Sequence, residues 1–302
     1  MSELHQVLVI AAGGFRGWRG NRRIALTFIL GFILCFLLTE RSVQFAETYG
    51  TLLQVAEPFV WVFGDAQNIL LVSLLLVLLF ADMPFLNPGT PFYLARTTRM
   101  VWLLGQILYV CAATLLYMLF ILAATCALCA HLAFAGNQWS ETAAMLAYSG
   151  AGQQIALPAA VKTLEMSTPY ECMMQIFVLM LLYTLLMVSL MLAFNIWKGA
   201  AAGIVSVFAF SLFGLLLTPN IFITLFDLPP ELFYQANVLA GWISPLNQAT
   251  YQRHNFGYDL LPRLQDTWVI FAAVILILFA WALSRIRRYN FRFTGTAGGG
   301  RR

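Results

Sequence analysis

The chain has 302 residues, of which 61% are hydrophobic and 10% are charged, and its formal net charge is +4. A soluble domain carries roughly 25% charged residues, so this composition excludes a soluble globular protein. The hydrophobic residues form several long runs along the chain, which excludes a simple secreted protein with one N-terminal signal peptide. We therefore predict an all-α, polytopic membrane protein.

The N-terminal segment, residues 1–23, begins with apolar residues and ends in a basic cluster. The cluster consists of Arg16, Trp18, Arg19, Arg22 and Arg23. Basic and aromatic residues beside an apolar stretch favour the membrane interface, where anionic lipids attract the positive charges. The segment therefore predicts an N-terminal amphipathic elbow, a helix or turn that lies on the inner leaflet. The alternative is a positively charged flank without further structure.

Six segments approach the roughly 20 apolar residues that a helix needs to cross the hydrocarbon core of a bilayer. In chain order they are residues 24–39, 68–81, 100–131, 171–198, 199–217 and 267–284. The first is short, and the second is extended outward by the apolar stretch 58–64. We predict one domain of six transmembrane helices over residues 24–284, followed by a basic cytoplasmic tail at 285–302.

The distribution of charge gives the orientation. With six crossings, both termini, the segment 82–99 and the turn 195–200 share one side, which holds 13 of the 17 basic residues but only the acids Glu3 and Asp82. The outer loops 40–67, 132–171 and 218–266 hold the other four basic residues, which are Arg41, Lys162, Arg253 and Arg263. Because basic residues near span ends stay in the cytoplasm, we predict that both termini are cytoplasmic and that the protein is a multi-pass protein of the cell membrane.

Glycine and proline interrupt both long outer loops, so neither is a single helix. The apolar stretches within 218–266 are too short to span and predict short helices that dip into the outer interface. Tryptophan prefers the headgroup level, and seven tryptophans fall near predicted span boundaries. They are Trp61, Trp139, Trp242 and Trp268 at outer boundaries, and Trp102, Trp197 and Trp281 at inner ones.

The sequence lacks the short motifs that carry nucleotide or hydrolytic chemistry. It contains no G-x-x-x-x-G-K-[ST] loop, no H-E-x-x-H and no G-x-S-x-G, which bind phosphates, zinc or an acyl intermediate. Cys126 and Cys129 form a C-x-x-C, but no second pair or histidine pair completes a metal set. We interpret them as helix-packing residues, and we expect no enzyme activity and no cofactor or metal on this chain.

No charged residue lies near the centre of a predicted span. Ion-coupled transporters usually place an ionisable side chain within the membrane, so energy for any transport would come from a cytoplasmic motor protein. Asp82 follows the second span at its cytoplasmic edge. We expect a solvated side chain there, with Arg96 and Arg99 as the candidate partners for an ion pair.

The cytoplasmic segment 82–99, DMPFLNPGTPFYLARTTR, breaks the second helix with its prolines and glycine. A short apolar and basic element, residues 91–99, then leads directly into the third span. Such an element, joined to two spans, can pass a movement from a soluble partner into the bundle. An ordinary connecting loop, anchored by two arginines, explains the same residues equally well.

Residues 84–109, PFLNPGTPFYLARTTRMVWLLGQILY, resemble the segment between the second and third spans of type-2 ATP-binding-cassette permeases. These are the membrane subunits of bacterial drug, lantibiotic-immunity and polysaccharide exporters. In that family, a stretch R-x-x-R-x-x-W-x-x-G follows a short coupling helix that docks on the ATPase. The matching positions in this sequence are Arg96, Arg99, Trp102 and Gly105.

The resemblance extends over most of the chain. Trp242, Ser244 and Pro245 are similar to the family's aromatic-x-Ser-Pro element, which lies in the large outer segment before the last span. The basic elbow, the six spans and the cytoplasmic termini also agree with the family. The resemblance implies that the elbow contacts the ATPases, together with the coupling residues Pro91, Phe92, Arg96 and Arg99.

The resemblance also implies the partners. Two permease chains, identical or paralogous, would pack together in the bacterial plasma membrane, and two ATPase subunits below them would bind the ATP and Mg. The cargo would pass between the permeases along the second and fifth spans, and an apolar path suits a hydrophobic or amphipathic peptide, lipid or drug. No nucleic-acid partner is expected. The alternative function is a membrane subunit for assembly or sensing that transports nothing.

Overall fold

The structure, a computed structural model, describes residues 2–85, 90–155, 157, 159–227, 229–257 and 259–289. The helices are α1 Glu3–Arg16, α2 Arg22–Tyr49, α3 Glu57–Phe63, α4 Ala66–Phe80, α5 Thr90–Arg96, α6 Arg99–Leu128, α7 Glu141–Tyr148, α8 Ala151–Gln154, α9 Val161–Met166, α10 Pro169–Lys198, α11 Ala200–Leu216, α12 Pro219–Phe226, α13 Phe233–Ile243, α14 Pro245–Ala249 and α15 Leu264–Arg285. Short 3-10 turns lie at Ala130–Leu132, Pro230–Leu232, Tyr251–Arg253 and Ile286–Arg288. Two short strands, β1 Leu53–Gln54 and β2 Ala133–Phe134, pair in parallel.

Four helices, α2, α6, α10 and α15, are long and apolar enough to cross a membrane. Two pairs of helices are also long and apolar enough when each pair is counted as one segment. Both pairs are bent: α3 and α4 meet at 89°, and α11 and α12 meet at 78°. The described residues therefore form a helical fold with four to six segments able to cross a bilayer, which confirms the predicted class at that level. The predicted third to sixth spans coincide with α6, α10, α11 and α15 to within a few residues.

Helix α10 forms the centre of the bundle. In the most apolar 18-residue stretch of α10, 72% of the residues are buried inside the protein. The corresponding fractions are 28% in α2 and 22% in α15. It packs against α4, α6, α11 and α15, and its apolar residues are distributed around the whole helix, as expected of a helix with neighbours on all sides. Tyr183, which is fully buried, marks the middle of this core.

Helix α2 is longer than the predicted first span. It continues past residue 39 to Tyr49, because Ser42, Phe45 and Ala46 keep one face buried beyond the charged residues that mark the predicted end of the span. It ends at Gly50, whose φ of 64° lies in the left-handed region that glycine adopts most readily. The first part of the predicted outer loop 40–67 is therefore helical.

The predicted second span divides into two helices. Helix α4 agrees with the predicted 68–81, and Asp65 caps it by accepting hydrogen bonds from the amides of Gln67 and Asn68 at 3.1 and 3.3 Å. The outward extension is a separate helix, α3, in which every residue is buried. The right angle between them turns α3 across the bundle instead of along it.

Segments that were predicted to share a side of the membrane contact one another at the same end of the bundle. We call the end that carries α1, α5, the α10–α11 turn and the turn Ile286–Arg288 the basic end. There, Arg23 pairs with Asp82, and Asn195 donates to the Met83 carbonyl. The first link joins the N-terminal segment to the segment 82–99, and the second joins that segment to the α10–α11 turn.

The other end joins the predicted outer loops. Fully buried Glu57 on α3 accepts hydrogen bonds from the Ser140 amide and hydroxyl, both at 2.6 Å, and from the Gln54 amide at 3.1 Å. Lys162 on α9 forms an ion pair with Asp259 at 2.8 Å. The three predicted outer loops therefore contact one another at this end of α10, and we call them together the outer assembly. The broken character expected for 132–171 and 218–266 is observed as short helices.

Candidate functional site

The segment between α4 and α6 forms a short helix at the basic end. Helix α5 is followed directly by Thr97 and Thr98, and the Thr98 hydroxyl accepts a hydrogen bond from the Val101 amide at 3.3 Å. Such an N-cap fixes the start of a helix, so α6 begins almost where α5 ends. A displacement of α5 is therefore passed to α6 with little free chain between them.

Three of the four predicted coupling residues belong to α5. Pro91 and Arg96 are exposed, and within the described part of the chain Arg96 forms no ion pair. Phe92 lies in α5, but its side chain is outside the described residues. The exposed guanidinium of Arg96 can therefore reach an acidic group on a partner.

Arg99, the fourth predicted coupling residue, has a different environment. At the start of α6 it donates hydrogen bonds to the backbone carbonyls of Arg287 at 2.9 Å and Tyr289 at 3.3 Å. These bonds hold the chain after α15 against α6. For Arg99 the geometry favours the anchoring role, which the sequence could not separate from docking.

Asp82, at the end of α4, pairs with Arg23 in the first turn of α2, so Arg96 and Arg99 were the wrong candidate partners. The packing of α2 against α4 brings Arg23 to this position, although it is far away in sequence. The two side chains are 44% and 56% exposed, and an exposed pair contributes at most about 1 kcal/mol. The pair therefore links the start of α2 to the chain just after α4 and adds little to the stability of the fold.

Asn195, near the end of α10, is a residue that the sequence analysis missed. Its amide donates to the Met83 carbonyl at 2.7 Å and lies 3.4 Å from the Ala81 carbonyl, which fastens the chain leading to α5 to the central helix. Gly203 on α11 makes room for it, because a Cβ there would collide with Asn195 and approach the Met191 carbonyl to 2.6 Å. A carboxamide at the apolar end of a span was the signal that could have identified this position.

The elbow is a helix packed on α6. A Cβ on Gly105 would lie 2.6 Å from Ile10, and Gly14 lies directly against the ring of Tyr109. The Trp18 indole donates to the Tyr109 hydroxyl at 2.7 Å. The apolar half of the segment 1–23 therefore forms α1, while its basic residues lie exposed at the end of α1, in the following turn and in the first turn of α2. They are Arg16, Arg19, Arg22 and Arg23.

Two residues of the family-like motif are packing residues. Trp102 is only 1% exposed, and Gly105 lets α1 approach α6. Trp61 on α3 is also fully buried, so these two tryptophans contact the interior of the protein and not lipid. Trp197 and Trp242, at 43% and 42% exposure, have the exposure expected of residues at an interface.

The Trp-Ile-Ser-Pro element lies at the opposite end. Ser244 caps α14 by accepting from the Asn247 amide at 3.3 Å, and its hydroxyl donates to the Gly214 carbonyl of α11 at 2.9 Å. Pro245 occupies the first position of α14, where its missing N–H costs nothing. A Cβ on Gly214 of α11 would lie 3.1 Å from Leu246. This element therefore holds α11, the predicted fifth span, against the outer assembly by close packing.

Metal coordination has no candidate centre in the described ranges. No group of three His, Cys, Asp or Glu side chains in those ranges could hold a metal ion. The five cysteines are free thiols, and Cys126 and Cys129 lie at the end of α6 with Cys129 buried. Their position agrees with a packing role.

Comparison with family models and with curated proteins gives no match. No protein-family model fits the sequence, and no curated protein is significantly similar to it. The resemblance to the type-2 permeases therefore stays a prediction that depends on the residues and the geometry described above.

Proposed function

We propose that this chain is the membrane permease subunit of an ATP-binding-cassette exporter, powered by a separate ATPase subunit. The observation that carries the proposal is the attachment of α5. Pro91 and Arg96 of this short helix are exposed, and α6 begins directly after it at the Thr98 cap. Asn195 fastens Met83, which precedes α5 in the chain, to α10. A protein that pushes on α5 therefore moves helices that reach through the whole bundle.

The contacts at the two ends support six crossings with both termini in the cytoplasm. The basic end joins segments that the positive-inside rule assigns to the cytoplasm, and the opposite end joins the predicted outer loops. Six crossings require each bent pair to count as one span. In this arrangement α3 and α12 lie at the outer interface of the bilayer, where α3 is bent sharply relative to α4 and α12 relative to α11.

The polar residues inside the helices support an external energy source. Buried hydroxyls on four of the helices, those of Thr39, Ser73, Thr125 and Thr184, donate to carbonyls of their own helix. Such local bonds satisfy the hydroxyl without binding an ion. Charged residues lie only near the ends of α4, α6, α10, α11 and α15, and Glu40 and Arg41 of α2 lie beyond the predicted first span. An ATPase is therefore the energy source that fits this bundle best.

The apolar surface suits the proposed cargo and partner. Large apolar side chains are exposed along α2 and α11, among them Ile29, Phe32, Phe208 and Leu212. These faces are available to lipid, to a second permease chain and to a hydrophobic or amphipathic peptide, lipid or drug. Protection of cells against a small hydrophilic toxin, with none against an amphipathic peptide, would contradict this cargo class.

The test is to purify the tagged full chain in mild detergent, identify the proteins that accompany it and assay ATP hydrolysis. We expect a stoichiometric Walker-A ATPase, and we expect Arg96→Ala to weaken its binding about tenfold or more, the effect of losing one charged contact worth about 1.4 kcal/mol. Arg253→Ala, an equal charge change at the opposite end, should leave binding unchanged. An ATPase-free oligomer under gentler extraction would favour the subunit for assembly or sensing.

A further inference from the structure

The ends of α10 and α15 form a pocket that the proposed function does not use. A cavity of about 430 Å³ is lined by Trp281, Ser284, Arg285, Arg287 and Arg288. Trp197 and Lys198, at the end of α10, extend this surface. We call these seven residues the basic–aromatic pocket.

Aromatic rings form one wall of the pocket. The ring centroids of Trp197 and Trp281 are 5.6 Å apart, and Phe194 packs on both rings. The Lys198 ammonium lies 4.4 Å from the centroid of the Trp197 ring, within the range of a cation–π contact. Trp, Lys and Arg side chains arranged in this way are typical of the headgroup level of a membrane.

The four cations of the pocket have no counter-charge within the described residues. None of Lys198, Arg285, Arg287 and Arg288 forms an ion pair there. Of the two acids predicted for this side, Asp82 is paired with Arg23, and Glu3 lies at the start of α1. The pocket therefore presents concentrated positive charge that an external anion would neutralise.

Hydrogen bonds to the backbone hold the basic residues in place. Arg99 donates to the carbonyls of Arg287 and Tyr289, so the turn Ile286–Arg288 is tied to α6 and does not move freely. Ile286 is fully buried, which fixes the turn from the inside. The side chains of Arg287 and Arg288 consequently extend from an ordered backbone.

We propose that the basic–aromatic pocket binds the phosphate headgroup of an anionic phospholipid from the adjoining leaflet. Guanidinium groups bind phosphate oxygens through two parallel hydrogen bonds, and the tryptophan rings pack against the glycerol and the upper acyl chains. The inference depends on insertion of the chain in a bilayer and not on transport, so it can fail or hold independently of the proposed permease function.

Helix α15 also provides a surface for an acyl chain. Below Ser284, one stripe of exposed apolar residues continues along the helix through Ala280, Ile277 and Ala273. These positions follow the three- and four-residue spacing of one helix face. A lipid whose phosphate occupies the pocket can therefore lay a chain along this stripe, which a free phosphate ion cannot do.

The test uses the full-length protein in detergent, with bound lipid counted by native mass spectrometry. The probes are phosphatidylglycerol, phosphatidylcholine and inorganic phosphate. We expect phosphatidylglycerol to bind about tenfold or more tightly than phosphatidylcholine, and to lose about tenfold or more in affinity in the triple variant Arg285→Gln, Arg287→Gln, Arg288→Gln. The matched triple variant Arg16→Gln, Arg19→Gln, Arg22→Gln removes the same charge from the same end and should lose less than about twofold.

Three results with the triple variants and the three probes would overturn the proposal. Equal losses in both triple variants would indicate diffuse surface charge, equal binding of both lipids would remove the role of the phosphate charge, and full competition by millimolar inorganic phosphate would indicate an ion site. The single variant Arg288→Gln guards against misfolding, because this exposed side chain has no partner within the described residues. It should weaken phosphatidylglycerol binding by about threefold or more, and an unchanged affinity would also overturn the proposal.

Discussion

Single side chains hold the outer assembly together, and Glu57 has the most buried position among its charged groups. Its carboxylate accepts three hydrogen bonds from Ser140 and Gln54 and makes no contact with water. A buried carboxylate is tolerated only when its oxygens are satisfied in this way. The side chain therefore joins α3 to the start of α7.

Replacing Glu57 with glutamine places an amide N–H₂ group where three donors converge. At least one donor then loses its acceptor, and each unsatisfied buried group costs about 1–3 kcal/mol. We expect a lower midpoint temperature of unfolding in detergent. Glu141→Gln, an exposed neighbour on α7, should change it little. Equal midpoints for wild type and Glu57→Gln would show that this carboxylate does not hold α3.

His254 is a second buried ionisable group at this end. Its Nδ1 lies 3.0 and 3.1 Å from the carbonyls of Thr250 and Tyr251, so Nδ1 carries the proton, and Nε2 accepts from the Thr267 hydroxyl at 3.1 Å. Burial lowers the pKa of this imidazole below its usual 6.5, because the charged form would lose its hydration, and the nearby Lys162 charge acts in the same direction.

The sign of the pH dependence follows from this direction. The unfolded chain takes up a proton at His254 before the folded chain does, so the stability that neutral His254 contributes is complete above about pH 6.5 and is lost as the pH falls through the folded pKa. We expect the unfolding midpoint of the wild type to fall more steeply between about pH 7.5 and 5.5 than that of His254→Gln. His5→Gln, at the exposed N-terminus, should keep the wild-type slope, and equal slopes in all three proteins would contradict the prediction.

Among the elements, the α10–α11 pair depends on close approach at Gly203. A methyl group at this position meets Asn195 and the Met191 carbonyl, and backbone cannot move aside as a flexible side chain can. We expect Gly203→Ala to destabilise the protein by about 1–3 kcal/mol, measured as thermal stability in detergent. Ala209→Val, which adds carbon on the exposed face of the same helix, is the control. A stable Gly203→Ala protein would mean that the helices separate at little cost.

Sequence patterns predicted whole helices better than their ends and angles. The predicted spans agreed with α6, α10, α11 and α15 because these helices are uniformly apolar. A bilayer requires such apolar runs, and soluble segments rarely contain them. The extension of α2 beyond Glu40 and Arg41 was missed because charge was interpreted as the end of the helix. The right-angled bend at Asp65 has a local signal, an acidic N-cap, but the burial of α3 depends on contacts with distant segments.

The candidate site shows the same limit. A short helix before the third span was predictable from the prolines and the basic residues of 82–99. Two hydrogen bonds attach this part of the chain to the rest of the bundle: Asn195 donates to Met83, and Arg99 donates to Arg287. Each bond joins residues more than a hundred positions apart. A local sequence pattern does not indicate contacts between such distant residues. The sequence alone could therefore not distinguish a coupling helix from an anchored connecting loop.

At the scale of the whole molecule, the proposed topology makes a direct prediction for labelling. With six crossings, cysteines introduced as Arg96→Cys and Arg288→Cys lie in the cytoplasm, whereas Arg253→Cys lies outside. We expect a membrane-impermeant maleimide to label Arg253→Cys in intact cells and the other two only after permeabilisation. The native thiols are buried or partly buried, so the unsubstituted chain gives the background. Labelling of Arg96→Cys in intact cells would rule out the six-crossing arrangement.

The position of the most buried helix has a consequence for biogenesis. More than half of the chain precedes α10, so α2, α4 and α6 leave the ribosome before the helix around which they pack exists. In the proposed six-crossing topology, each must remain in the bilayer through its own apolar content, with its future contact surface covered by lipid or by the insertion machinery. Synthesis that stops before Pro169 leaves helices without a core, a product that membrane quality-control proteases would remove.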